Sequence, residues 1–208
     1  MADREELEAR IRTLEAELEQ KTRDIASVTR AHTLLSKRTR IFERVHALFE
    51  EPQAIEENLR RLLEVLAHEF DCEAGAVLLI DGEAREFFFS AALGPNSEKL
   101  VGVRFPVAKG LAGACAQSRQ PLVVSNVGDD PRFYRSISDS VGFSVRNLLA
   151  LPMRDGLGVS GVIELLNKRS GSDYRADEID TGLRVADLAA RLVAVGVELD
   201  SAGAPREA

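Results

Sequence analysis

Three blocks decide how the rest of the chain reads: KGLAGACAQ (Lys109–Gln117), NVGDDPRFYRSISDSVGFSVRNLLALP (Asn126–Pro152) and GVIELLNK (Gly161–Lys168). The first is a run of small residues after a lysine, which predicts a short helix that lets other groups approach its backbone closely. In the second, a proline at a helix-start position predicts a loop and then a short helix over DPRFYRSISDS. LLALPM and GVSGVIELL then form a hairpin across Asp155-Gly156. Strand alternation along GVIELLN puts Glu164 on one face with Val162 and Leu166. A carboxylate between apolar neighbours in mid-strand is costly unless it finds a donor. Two solutions stay open: a donor on a ligand, or an internal one such as Arg146 or a backbone N–H.

Working outward, AGAVLLI, a DG turn at Asp81-Gly82 and AREFFFSAA predict a hairpin with a tight primed turn. Further strands are expected around Val101–Phe105 and over PLVVS. A helix over Ala54–Phe70 carries Ile55, Leu59, Leu62, Leu63, Leu66 and Phe70 on one stripe, and a last helix spans Arg175–Leu199. Tight antiparallel turns with helices gathered at both ends of the chain mean an α+β fold. The expected domain covers residues 48–199, with residues 1–47 as a helix running into it and 200–208 as a flexible tail.

The first fifty residues have their own period. Heptads place Leu7, Leu14, Lys21, Val28, Leu35 and Phe42 at d, and Ile11, Leu18, Ile25, His32 and Thr39 at a. No Gly or Pro interrupts residues 1–51, and Pro52 marks a break. A 3.5-residue period held over about five heptads predicts a coiled coil, and Ile at a with Leu at d favours two strands. Arg10 would face Glu15, and Arg38 would face Glu43, of a parallel partner; such exposed pairs help choose orientation more than they stabilise. The alternative is a lone amphipathic helix packed on the domain.

Composition excludes several function classes. A formal net charge of −7 argues against sequence-independent nucleic-acid binding. No apolar run approaches the ~20 residues of a membrane helix, and MADREELEAR lacks the apolar centre of a signal peptide. Two cysteines, Cys72 and Cys115, make neither a disulfide framework nor a metal cluster, so a cytoplasmic location is expected. The three histidines, His32, His46 and His68, all fall in predicted helices with no second ligand at useful spacing, and no metal is expected.

Between about Leu48 and Leu199 the chain resembles a GAF domain, the small-molecule sensory module. RFPVAKGLAG (Arg104–Gly113) resembles the family's strand-to-helix turn, and DPRFYRSISDSVGFSVRNLLALPM its lid segment and following strand. GVIELLNK with Tyr174 and Asp177-Glu178 resembles its asparagine-lysine…phenylalanine…aspartate-glutamate signature. The first two blocks are most similar to GAF domains of cyclic-nucleotide phosphodiesterases and cyanobacterial adenylate cyclases.

The resemblance implies an antiparallel sheet of about six strands with helices on both faces. It implies main-chain contacts from Leu111 and Ala112 to a ligand, with Glu164 lining the pocket and Asn126 and Phe133 offered by the lid. It makes Asn167, Lys168, Tyr174, Asp177 and Glu178 architectural: a lysine–carboxylate bridge between the last strand and the last helix. Tyr174 replaces the family's phenylalanine and the spacing is one residue short, so the partner of Lys168 is Asp177 or Glu178. Ala91-Ala92 stand where cyclic-nucleotide-binding relatives carry base-reading residues, so another small molecule, or none, competes with a cyclic nucleotide. Cys115 has no following histidine, so no bilin is expected. No haem ligand is expected either.

Together these readings predict a non-catalytic dimeric sensor or adaptor with a seam at Leu7, Ile11, Leu14, Leu18, Ile25, Val28 and Leu35. The coiled coil would relay to a protein partner. The alternative is a ligand-free scaffold for dimerisation and docking.

Overall fold

The computed structural model describes residues 2–50, 54–156, 158–171 and 173–203. The chain divides into two units, the second beginning at Ile41. The first is the leading part of helix α1 (Ala2–Glu50). Its seven seam residues stand open, with between 46% and 68% of their surface exposed. Local bonds reinforce the helix, among them an Arg4–Glu8 pair of 3.0 Å and Gln20 donating to Asp24 at 2.9 Å, both at the i,i+4 spacing.

The second unit is an antiparallel sheet with helices on both faces. Its remaining elements, in chain order, are α2 (Ile55–Glu69), β1 (Cys72–Asp81), β2 (Glu86–Leu93), β3 (Arg104–Pro106) and α3 (Gly110–Ser118). There follow β4 (Leu122–Val124), α4 (Arg135–Val141), β5 (Leu148–Arg154), β6 (Val159–Lys168) and α5 (Ala176–Gly203). The strand order is β3-β2-β1-β6-β5-β4, so β6 sits in mid-sheet between β1 and β5.

The alternation read from the sequence holds on β6. Ile163 and Leu165 enter one core with Leu59, Leu62, Phe70 and Ala186, on the side covered by α2 and α5. Val162 and Leu166 face the other core, beneath α3 and the lid. Ile41 and Val45 are fully buried in the first core, which therefore takes in the end of α1, ahead of the expected boundary at residue 48. Ile41 and Val45 lie four apart, off the a and d positions, so the buried stripe changes face as the helix reaches the domain.

Two local expectations are corrected. The β1–β2 connection is four residues, Gly82–Arg85, and not a two-residue primed turn. The Asp81 carboxylate accepts from the N–H groups of Glu83 and Ala84 at 3.2 and 3.0 Å, and it is Arg85, not Gly82, that adopts the left-handed conformation (φ 55°). Aspartate side chains commonly imitate a backbone turn in this way. At the other end, α5 continues through 200–203, part of the segment expected to be a flexible tail; 204–208 lie outside the described residues.

Candidate ligand pocket

The sheet row that holds Glu164 places small residues on either side of it. In the strand register Glu164 lies between Ala76 of β1 and Ala150 of β5, and Ala92 lies beyond Ala76. Alanines on both sides leave room for the Glu164 side chain, and Leu122 of β4 follows Ala150 in the same row. Ala91 belongs to the other core, so only Ala92 of the expected pair faces this side. Over the sheet, the start of α3 and the lid segment border a partly open cavity of ≈ 90 Å³.

Leu111, Ala112, Phe133 and Glu164 all line this cavity. Asn126 does not: it is exposed, and its amide donates to the Asp129 carboxylate at 2.6 Å. That bond belongs to a set that shapes the lid locally. Asp130 holds Arg132 at 2.6 Å, Arg135 bonds the Gly128 carbonyl, and the Arg135 guanidinium lies 5.7 Å from the centre of the Phe133 ring. The Arg132 guanidinium keeps the Asp130 carboxyl down at about 2.

The glycines at the start of α3 have structural reasons to be there. Gly110 takes φ +76°, which side chains rarely tolerate, and a Cβ on Gly113 would stand 2.7 Å from the Val107 carbonyl. The first turn of α3 nonetheless presents amides without intrahelical acceptors beside the cavity.

Of the internal donors expected for Glu164, Arg146 is engaged elsewhere. Arg146 pairs with Glu73 at 2.8 Å, and no hydrogen bond or ion pair reaches Glu164 among the described residues. Protein surrounds this carboxyl, and the surface it retains lines the cavity. Burial pushes it up to about 7. Glu164 is also the only charged side chain of the lining among the described residues; no Lys, Arg or His is present there.

The signature residues lie elsewhere and hold the frame. Lys168 chooses Glu178, at 2.7 Å with both side chains buried, while Asp177 pairs with Arg175 at 3.2 Å. Burial pushes the Glu178 carboxyl up, but the Lys168 ammonium and the Arg175 N–H more than offset this and leave it below the usual range. The Tyr174 hydroxyl donates to the Leu165 carbonyl at 3.1 Å and meets the Cys72 sulfur at 3.3 Å. Asn167 adopts φ 57°, breaking the strand alternation. Its side chain accepts from the Arg146 N–H at 2.7 Å and donates to the Ser144 carbonyl at 2.9 Å and to Glu73 at 3.1 Å. Asn167 thereby fastens the end of the lid to β1 and β6. Both cysteines are free, buried and raised by burial, Cys72 to about 11 and Cys115 to about 12, which makes them poor nucleophiles. Among the described residues no group of His, Cys, Asp and Glu is placed to hold a metal, and no helix is long and apolar enough to cross a membrane.

The sequence reading missed the aromatic character of the pocket wall. Phe89, Phe105, Tyr134 and Phe143 join Phe133 in the lining, and Phe105 meets Phe87, Phe89 and Tyr134 at ring-centre distances of 5.4, 5.9 and 6.1 Å. They come from β2, β3 and the lid, which sheet order and lid packing bring together.

The architecture is a central antiparallel sheet with a cavity on one face and the helices α2 and α5 on the other. The GAF domain family matches residues 54–193, and the chain belongs to that family. It is 27% identical over 117 residues to a probable 3′,5′-cyclic phosphodiesterase of Caenorhabditis elegans, covering 52% of this chain and 16% of that protein. It is 27% identical over 144 residues to a dual 3′,5′-cyclic-AMP and -GMP phosphodiesterase of Drosophila melanogaster, covering 63% of this chain and 10% of that one. The chain thus spans a small part of each relative. Among solved structures, the GAF domain of a phosphoenolpyruvate-protein phosphotransferase from Coxiella burnetii superposes with TM-score 0.71 at 17% identity, covering 81% of this chain and 96% of that one. The free methionine-R-sulfoxide reductase of Neisseria meningitidis, with its substrate, gives TM-score 0.65 at 16% identity over 80% of this chain and 93% of that one. Both likenesses are of fold, and the second belongs to an enzyme.

Proposed function

We propose that the chain is a non-catalytic, dimeric sensor or adaptor in intracellular signalling. A small molecule, with a cyclic nucleotide among the candidates, enters the lidded cavity and contacts Leu111, Ala112, Phe133 and Glu164. Asn126 would join them only through a rearrangement of the lid. The observation that carries this reading is Glu164, a carboxyl with no hydrogen bond or ion pair among the described residues, which faces a partly open cavity. Burying such a group costs free energy, and a ligand donor offsets that cost. The seam of α1 supports a parallel homodimer, because a long apolar stripe left in water is unfavourable and a second copy covers it with the same heptads. For binding to become regulation, the ligand must favour one arrangement of the helices over another, which the coiled coil passes to a protein partner in the cytoplasm.

A thermal-shift screen with cyclic AMP, cyclic GMP, amino acids and other small metabolites should raise the melting temperature for at least one compound. Native mass spectrometry of freshly purified protein should show a dimer and any retained ligand. A monomer with no retained mass and no hit in the screen would reject this reading. The scaffold reading draws on the cavity itself: ≈ 90 Å³ is well below the roughly 300–1,000 Å³ of common ligand pockets.

A further inference from the structure

The cavity's own chemistry narrows the ligand. Its lining carries one acidic side chain, no basic one, and five aromatic residues: Phe89, Phe105, Phe133, Tyr134 and Phe143. Aromatic faces are negative and attract cations, and quaternary ammonium groups in particular are recognised by clusters of rings. The Glu164 carboxyl makes no hydrogen bond or ion pair of its own among the described residues, and a cation beside it favours its ionised form, which is the natural counter-charge. Phe133 already carries the Arg135 guanidinium at 5.7 Å, so this wall holds a cation on one of its rings, though Arg135 itself stands outside the lining. A phosphate, by contrast, would meet no basic side chain in the lining among the described residues. The cavity volume of ≈ 90 Å³ also suits a compact ligand better than a nucleotide.

We infer that the pocket takes a small organic cation, an alkylated ammonium compound whose charge is held between Glu164 and the aromatic wall. The amides at the start of α3 remain available to a neutral oxygen on the same ligand, such as a hydroxyl. This inference rests on the sensor reading and goes further by naming the chemical class of the ligand.

Isothermal titration of the full chain with choline, tetramethylammonium, cyclic AMP and 3,3-dimethylbutan-1-ol, the uncharged isostere of choline, tests it. The two cations should bind at least about tenfold more tightly than the isostere, as a desolvated cation–ring and charge–charge site requires. Glu164→Gln keeps the shape and removes the charge; it should weaken both cations about tenfold or more and leave the alcohol where it was. Tyr134→Leu, at a partly exposed position whose loss the fold should tolerate, should weaken the cations by a smaller factor. Equal binding of choline and its isostere would overturn the inference, as would cation binding unmoved by Glu164→Gln, tighter binding of cyclic AMP, or no heat from either cation. In each of those cases a positive metabolite screen would leave the sensor reading standing. An empty screen and no retained ligand would take down both.

Discussion

The two faces of the sheet treat a buried glutamate in opposite ways. On the side of α2 and α5, Glu178 is held by the Lys168 ammonium at 2.7 Å and by the Arg175 N–H at 2.9 Å, and its carboxyl lies below the usual range. On the side of α3 and the lid, Glu164 has cavity in front of it, alanines beside it in the register and a carboxyl raised to about 7. The same residue type is a structural fastener on one face and an unanswered polar group on the other. Polar groups removed from water in folded proteins are nearly always satisfied, and the unpartnered carboxyl beside the cavity is what the proposed ligand reading draws on. The helix face fastens its glutamate, and the lid face leaves its glutamate beside a cavity with no hydrogen bond or ion pair among the described residues.

The sharpest way to break this contrast is at Lys168. Lys168→Met should leave the buried Glu178 with only the Arg175 N–H at 2.9 Å and a longer Arg175 guanidinium contact at 3.7 Å, and cost about 3 kcal/mol at neutral pH, read by urea denaturation. A loss below about 1 kcal/mol would mean that the pair is no fastener.

Glu164→Gln should act in the other direction, with a pH signature. The folded carboxyl titrates at about 7 against an ordinary value of 4.5, so between these limits the folded chain holds a proton that the unfolded chain releases. Its contribution to stability is therefore complete below about 4.5 and is lost as the pH rises through 7. Glutamine does not titrate, so the stability of the variant relative to the parent should climb across this window by up to about 3 kcal/mol, in the variant's favour. Parallel stability curves from pH 4 to 8 would show that Glu164 has a partner after all.

Arg146→Ala should have the smallest effect. It breaks a largely exposed pair with Glu73, worth under about 1 kcal/mol, and should leave the Glu164 titration in place. A downward or upward move of that titration, followed by NMR of the carboxyl carbon, would make Arg146 its partner and remove the contrast.

Much of the fold was legible because it rests on local rules. Period-2 alternation on GVIELLN, the stripe on α2 and the small residues of α3 predicted their elements and faces, and the structure agrees within a few residues at their ends. The β1–β2 turn was misread because Asp81 acts through its side chain, an option that competes with the primed turn for the same residues. The family's spacing left the Lys168 partner open, and the left-handed Asn167 turned the lysine toward Glu178. Asn126 was placed in the pocket by resemblance, and a neighbour three residues on, Asp129, holds it outside instead. The aromatic wall could not be read at all: its rings come from β2, β3 and the lid, with no common period to reveal them.

By itself the sequence determined the alternating strands, the two flanking helices, the long heptad helix and the presence of a carboxylate on the inner face of GVIELLN. Each of these follows from periodicity or from the cost of a polar group among apolar neighbours, and both are visible one segment at a time. Only the tertiary structure decided whether that carboxylate is answered. The reason is physical: a donor must lie within about 3 Å of it, and which side chains come that close is set by sheet order and lid packing, not by distance along the chain. Arg146 was the available candidate; it turned to Glu73, and Glu164 was left facing the cavity.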